Sequence, residues 1–349
     1  MKPSDLIKVL EIGIPFKRSF IIVGKPGIGK SEVMKQACEK IKCNYIIFHP
    51  VISGPEVFSG FPWIITDNNE PKAERIPFGH LRKLLTADTL TAAIFEDFGQ
   101  AAPLTQAACM QLFLERCLDD KKVSDQITFL IATNAKEHMA AVSGILEPVK
   151  SRFSSIINLE VDIENWIEWA TKNNVPPIWR AFIRHFPQFL DQFEPTREMT
   201  NSPTPRTIYN ASMLYTDGYP KELMFELTKG AAGEIIATEF LGYERMFSKL
   251  KDPRLIIKDP MNYTIPSDPG ILYALATSIP IYTTLNNISN VLIFTQRLMD
   301  PDTFEDNIAR TEFAIVLLKN CEYQNPEIME TRDWIEFQIK YKEVFLGKI

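Results

Sequence analysis

The chain is 349 residues long, enough for two or three domains of ordinary size. Hydrophobic residues make up 45% and charged residues 23%, a globular mix that excludes a disordered or collagen-like chain. The net charge of −6 argues against coating nucleic acid by bulk charge. The five cysteines (Cys38, Cys43, Cys109, Cys117 and Cys321) form no CxxC pair and no zinc spacing, so neither a disulfide scaffold nor structural zinc is expected. Reduced thiols and a start without a signal-peptide apolar core fit a cytoplasmic protein.

Along the chain, Ser19–Val23 reads as a buried strand, Ser31–Ile41 as a helix and Tyr45–Phe48 as a second strand. Thr91–Phe95, Ile127–Thr133 and Ile156–Leu159 are three more strands. Continuous apolar strands separated by helices predict a five-stranded parallel sheet covered on both faces. Between the second and third strands, Trp63–Thr66 and Ala73–Ile76 flank Asp67-Asn68-Asn69-Glu70, an inserted hairpin at about residues 61–77. Asp119-Asp120-Lys121-Lys122 is a shorter excursion.

After about Val161 the pattern turns helical: Ile163–Lys172, Pro177–Phe193, Arg206–Tyr215 and Ala231–Leu250. Pro253, Pro260, Pro266 and Pro269 predict a non-helical connector, and Leu272–Leu346 a last helical region. The domains expected are a nucleotide-binding core at 1–160, a helical lid at 161–250, and a connector with a C-terminal helical region at 251–349. No charge occurs between Asp268 and Arg297, yet the run carries Pro280, Asn286, Asn287 and Asn290, costly groups in lipid. Buried helices, not a membrane span, are expected.

Gly24-Lys25-Pro26-Gly27-Ile28-Gly29-Lys30-Ser31 matches GxxxxGK[ST], the P-loop. Its glycines let backbone N–H groups turn toward phosphate oxygens, and the following helix adds its positive end. Lys30 is expected to reach the β- and γ-phosphates of ATP, and the Ser31 hydroxyl to ligate Mg²⁺. Such a loop needs an acidic partner at the end of a neighbouring strand, and Ala92-Ala93-Ile94-Phe95-Glu96-Asp97 supplies two carboxylates. The scattered His49, His80, His138 and His185 read as structural, and Cys38 and Cys43 as buried thiols.

Five segments in order resemble MoxR-type AAA+ ATPases. Phe95–Arg116 is similar to their Walker B region, His49–Pro62 to the segment after their second strand, and Ile131-Ala132-Thr133-Asn134 to the sensor 1 strand. Lys150-Ser151-Arg152-Phe153 resembles the arginine-finger box, and Thr204-Pro205-Arg206-Thr207 the sensor 2 start of a lid helix. The chain end resembles the lids of phage and prophage MoxR-like members.

The resemblance implies an AAA+ αβα core with a helical lid. It gives Glu96 the place of the Mg²⁺-associated Asp and Asp97 that of the catalytic Glu, an order swapped from the usual Asp-Glu. It makes Asn134 sensor 1, Arg152 a finger entering a neighbouring subunit, and Arg206 a γ-phosphate sensor. Each has a plainer reading: a strand-end turn residue for Asn134, a solvated cation for Arg152, whose task Lys150 could do. Arg206 at a helix start is disfavoured by the dipole unless an anion is its partner. Phe61-Pro62-Trp63-Ile64 is either a pore loop gripping a polypeptide or packing on the chain's own body.

The resemblance further implies a ring, most often a hexamer, that remodels a protein partner such as one bearing a von Willebrand factor A domain. A nucleic-acid motor or helicase loader is the alternative, disfavoured by the acidic balance. A nucleotide-dependent switch with little turnover is another, motivated by the Glu96-Asp97 order.

Overall fold

The computed structural model describes all residues except 68–69, 136–143, 197, 249, 251 and 346–349. The chain divides into two compact units, Met1–Asp162 with Phe193–Arg197, and Ile163–Gln192 with Glu198–Ile349.

The first unit carries strands β1 (Phe20–Val23), β2 (Asn44–Phe48), β3 (Phe61–Asp67), β4 (Glu70–Ile76), β5 (Thr91–Phe95), β6 (Cys117–Leu118), β7 (Lys121–Lys122), β8 (Ile127–Thr133) and β9 (Ser155–Asn158). Its helices are α1 (Pro3–Gly13), α2 (Lys30–Lys40), α3 (Glu56–Ser59), α4 (Gly79–Thr86), α5 (Pro103–Leu114) and α6 (Glu147–Lys150). Five strands form one sheet in the order β2-β5-β8-β1-β9, and every pairing in it is parallel. The expected fold class is therefore present: an αβα core built on a five-stranded parallel sheet, followed by a helical C-terminal region.

Alternation explains the two-sided burial. Ala92, Ile94, Leu130, Ala132 and Ile22 point to one face, where they pack with Leu6, Leu10, Val33 and Met34 of α1 and α2. Ala93, Phe95, Phe129, Ile131 and Ile21 point to the other, against Phe58, Leu81, Leu112 and Phe113 of α3, α4 and α5. Central strands β5 and β8 are buried throughout, which is why they read as unbroken apolar runs, whereas edge strand β9 is mostly exposed. Helix α1 was not evident in the sequence. Leu6, Ile7 and Leu10 give it one buried stripe, and Pro3 starts it.

β3 and β4 pair antiparallel with Asp67 opposite Glu70, the predicted inserted hairpin. β6 and β7 form a second, shorter one. The Lys121 ammonium on β7 pairs with the Glu74 carboxylate on β4, tying the two hairpins together.

The second unit is helical: α7 (Ile163–Lys172), α8 (Pro177–His185), α9 (Pro205–Thr216), α10 (Met224–Ala232), α11 (Glu234–Phe247), α12 (Pro253–Lys258), α13 (Pro269–Ser278), α14 (Ile288–Met299), α15 (Thr311–Gln324) and α16 (Arg332–Lys340). Two predicted helices are shorter than expected. Pro187 ends the first, and Gly233, at φ 98°, leaves Ala231 and Ala232 at the end of α10 and delays the start of the second, α11, to Glu234. Conversely, the segment after Lys251 does form a helix, α12. Pro253 occupies a first-turn position whose N–H needs no partner, and Asp252 accepts from the Arg254 N–H as cap. Arg184 of α8, nearly fully buried, makes a two-pronged bond to Glu164 of α7 (2.7 and 3.3 Å), and Lys319 of α15 lies 3.6 Å away. The uncharged stretch splits into α13, a 3₁₀ turn at Ile279–Tyr282, and α14. Among the described residues no helix is long and apolar enough to cross a membrane.

Candidate nucleotide site

The loop after β1 has the conformation that its glycines predict. The Gly24 N–H bonds to the Thr133 carbonyl (3.2 Å), holding the loop's first residue against β8. A Cβ on Gly24 would come within 2.5 Å of Ile28 Cδ1 and 3.0 Å of the Leu159 carbonyl. Gly27 and Gly29 have φ of 77° and 93°, in the left-handed region that side chains avoid. Gly29 is the N-cap of α2 and offers no side chain there, so the first N–H groups of the helix are left for an outside acceptor. Ile28 turns its side chain into the core and contributes only backbone to the loop.

Lys30, at the first position of α2, is 8% exposed. Its ammonium donates to the carbonyls of Gly24 (3.0 Å) and Lys25 (2.9 Å) and to Asn134 Oδ1 (2.7 Å). A buried cation attracts anionic oxygen strongly. Asn134 directly follows β8, is 6% exposed, and is held beside the loop by its bond from Lys30.

The two carboxylates part company. The Glu96 N–H still bonds to the Phe48 carbonyl (2.9 Å), so Glu96 continues the alternation of β5 and shares the α2 face with Ala92 and Ile94. Asp97 has φ 51° and ψ 32°, a left-handed turn that Asp tolerates, and its side chain is exposed. The swapped pair is thus split between the strand and the turn that ends it.

The structure adds His49, which the sequence reading assigned to packing. Its Nδ1 lies 3.5 Å from Glu96 Oε2, at the end of β2 beside the end of β5. The signal was its position directly after a strand next to the acidic one. His138 lies outside the described residues.

Ser31, the second residue of α2, is partly exposed. Among the described residues no three His, Cys, Asp or Glu side chains converge as a metal site.

Arg152, after α6, is exposed, and its guanidinium meets no carboxylate among the described residues, while Lys150 is paired with Glu147 (2.5 Å). Arg206 belongs to the second unit. It is exposed near the start of α9, behind a capping box formed by Thr204 and Thr207. On the inserted hairpin, Phe61, Trp63 and Ile64 are at least half exposed, and Phe61, Trp63, Ile76 and Phe78 line a hollow of about 390 Å³. The aromatics therefore do not pack fully on the chain's own body.

No protein-family model matches the chain. No curated protein sequence matches it either. Among solved structures, the RuvB Holliday junction branch migration motor of Thermotoga maritima is similar over 79% of this chain and 81% of its own, at 14% identity and a TM-score of 0.39. NtrX from Brucella abortus is similar over 98% of this chain and 67% of its own, at 13% identity and a TM-score of 0.41. NtrX in complex with ADP is similar over 98% and 68%, at 12% identity and a TM-score of 0.40. Each is a distant likeness.

Proposed function

We propose that the chain is an AAA+ ATPase of the MoxR-like kind, coupling ATP binding and hydrolysis to the remodelling of a protein partner. The observation that carries this reading is the buried Lys30 ammonium, held by loop carbonyls and Asn134 at the head of α2. Bound Mg²⁺·ATP would supply the scissile phosphoanhydride and a cation to neutralise charge on its oxygens.

The chain's own groups then have distinct tasks. Lys30 and the N–H groups of Gly27, Gly29 and Ser31 hold the phosphates, and Pro26 stiffens the loop. Ser31 and Glu96 hold Mg²⁺, Glu96 doing so from the α2 face of the sheet. Asp97 accepts a proton from the attacking water, and Asn134 orients that water. Arg152 acts on the neighbouring subunit's site, so the working form is a homo-oligomer, proposed as a hexameric ring. Arg206 reads the γ-phosphate. The exposed Phe61 and Trp63 favour a polypeptide substrate, because aromatic side chains without their own packing are interface residues.

A switch with little turnover is the second reading, favoured by the left-handed, exposed Asp97. A steady-state assay of Mg²⁺-dependent ATP hydrolysis decides between them. ATP binding without turnover selects the switch, and no ATP binding by calorimetry overturns both.

A further inference from the structure

Helix α2 ends in a Schellman motif. Lys42 is left-handed at φ 54°. Its N–H bonds to the Glu39 carbonyl (3.1 Å), and the Cys43 N–H bonds back to the Cys38 carbonyl (2.8 Å). This motif brings the side chains of its first and last residues together, usually as an apolar contact. Here both are cysteines, and both are buried. The 2.8 Å bond limits the two Cα atoms to at most roughly 6.7 Å apart by standard bond lengths, inside the range that a disulfide spans.

We propose that Cys38 and Cys43 are a peroxide-responsive pair that closes to an intrachain disulfide at the C-terminal end of the phosphate-loop helix. Cys43 is the attacking residue. It is 6% exposed where Cys38 is wholly buried. The Cys38 thiol favours its thiolate, burial opposes it, and the Ala92 N–H and Lys17 favour it again, with a net lowering of its pKa, although the thiol hydrogen of its neutral form also has the carbonyls of Asn44 (3.1 Å) and Leu90 (3.4 Å) as acceptors. The Cys43 sulfur attacks one oxygen of hydrogen peroxide, the O–O bond breaks, and hydroxide leaves to take a proton, giving a sulfenic acid. The Cys38 sulfur then displaces that oxygen as water, carrying its own proton away. Two thiols are oxidised to one disulfide and one peroxide is reduced to two waters. Cys117, the one thiol of the five that is not buried, is an internal comparison: burial and Glu115 raise its pKa, so it is more reachable but less reactive.

The test treats the full chain with hydrogen peroxide, blocks remaining thiols after unfolding, and maps tryptic peptides by mass spectrometry. Lys40 and Lys42 lie inside the loop, so cleavage leaves two peptides held only by the new bond. The expected result is a Cys38–Cys43 linked pair, lighter by two hydrogens, several-fold above untreated protein and reversed by dithiothreitol. In Cys38→Ala, dimedone should trap the sulfenic acid on Cys43. Oxidation of Cys117 while Cys38 and Cys43 stay blockable, or sulfinic acid on Cys43 in the unaltered chain, overturns the pair. Absence of the dimedone adduct overturns Cys43 as the attacking residue.

Discussion

The Lys30 ammonium lies 2.7 Å from Asn134 Oδ1, though 104 positions separate them in the chain. One begins the helix behind β1 and the other follows β8, and the parallel pairing of β1 with β8, Val23 opposite Thr133, brings them together. The relationship separates binding from turnover. Lys30→Ala removes the loop's fixed cation and should abolish ATP binding by calorimetry. Asn134→Ala leaves Lys30 its two carbonyl acceptors, so ATP affinity should stay within a few-fold while hydrolysis falls by roughly 10²-fold, the cost of misplacing a reacting group. Equal loss of both properties in Asn134→Ala would remove it from the sensor role.

Glu96 and Asp97 should give different phenotypes. Asp97→Asn keeps a residue that accepts the left-handed turn, so the fold should be unchanged by circular dichroism. It should retain ATP and Mg²⁺ binding and lose hydrolysis. Glu96→Gln should weaken the Mg²⁺-dependent part of ATP affinity. If Asp97→Asn hydrolyses normally while Glu96→Gln binds but does not turn over, the two roles are exchanged.

Arg152 should act in trans. With a slowly hydrolysed ATP analogue the chain should assemble, by mass photometry, beyond its nucleotide-free state. Arg152→Ala should bind ATP normally and lose at least about 10³-fold in turnover, the range for arginine fingers. Mixing Arg152→Ala with Lys30→Ala should restore part of the activity, because some interfaces then join an intact loop to an intact finger. No recovery, together with a monomer in both nucleotide states, would rule out the ring.

In the second unit, Glu164 supports a guanidinium that is nearly out of water. Burial pushes the Glu164 carboxyl up, but the hydrogen bond and charge of Arg184, with Lys319, outweigh it and hold its pKa below the usual carboxylate range. Its stabilising contribution is therefore present above the unfolded carboxyl pKa, near 4.3, and is lost as pH falls through the folded value. Glu164→Gln should cost about 1–2 kcal/mol at pH 7 in urea unfolding, a value reduced because the carboxylate is partly exposed. The gap between variant and unaltered chain should close below roughly pH 4. A gap independent of pH would mean that packing, not charge, is lost.

Local pattern determined much of this protein. The apolar runs at β1, β5 and β8 are legible because a strand buried on both faces has no polar positions, and the loop from Gly24 to Ser31 is legible because its backbone needs glycine at stated places. Where a single residue type acts through context, the sequence was silent or misleading. Pro253 starts a helix because Asp252 caps it, and Gly233 delays the start of another because its backbone is left-handed. Only the tertiary structure decided which distant groups meet. His49 faces Glu96 because β2 and β5 end side by side, Glu96 and Asp97 part because the chain turns between them, and Asn134 reaches Lys30 through the register of two strands. Periodicity records which face of an element is buried, whereas such meetings depend on strand order, which no single segment encodes.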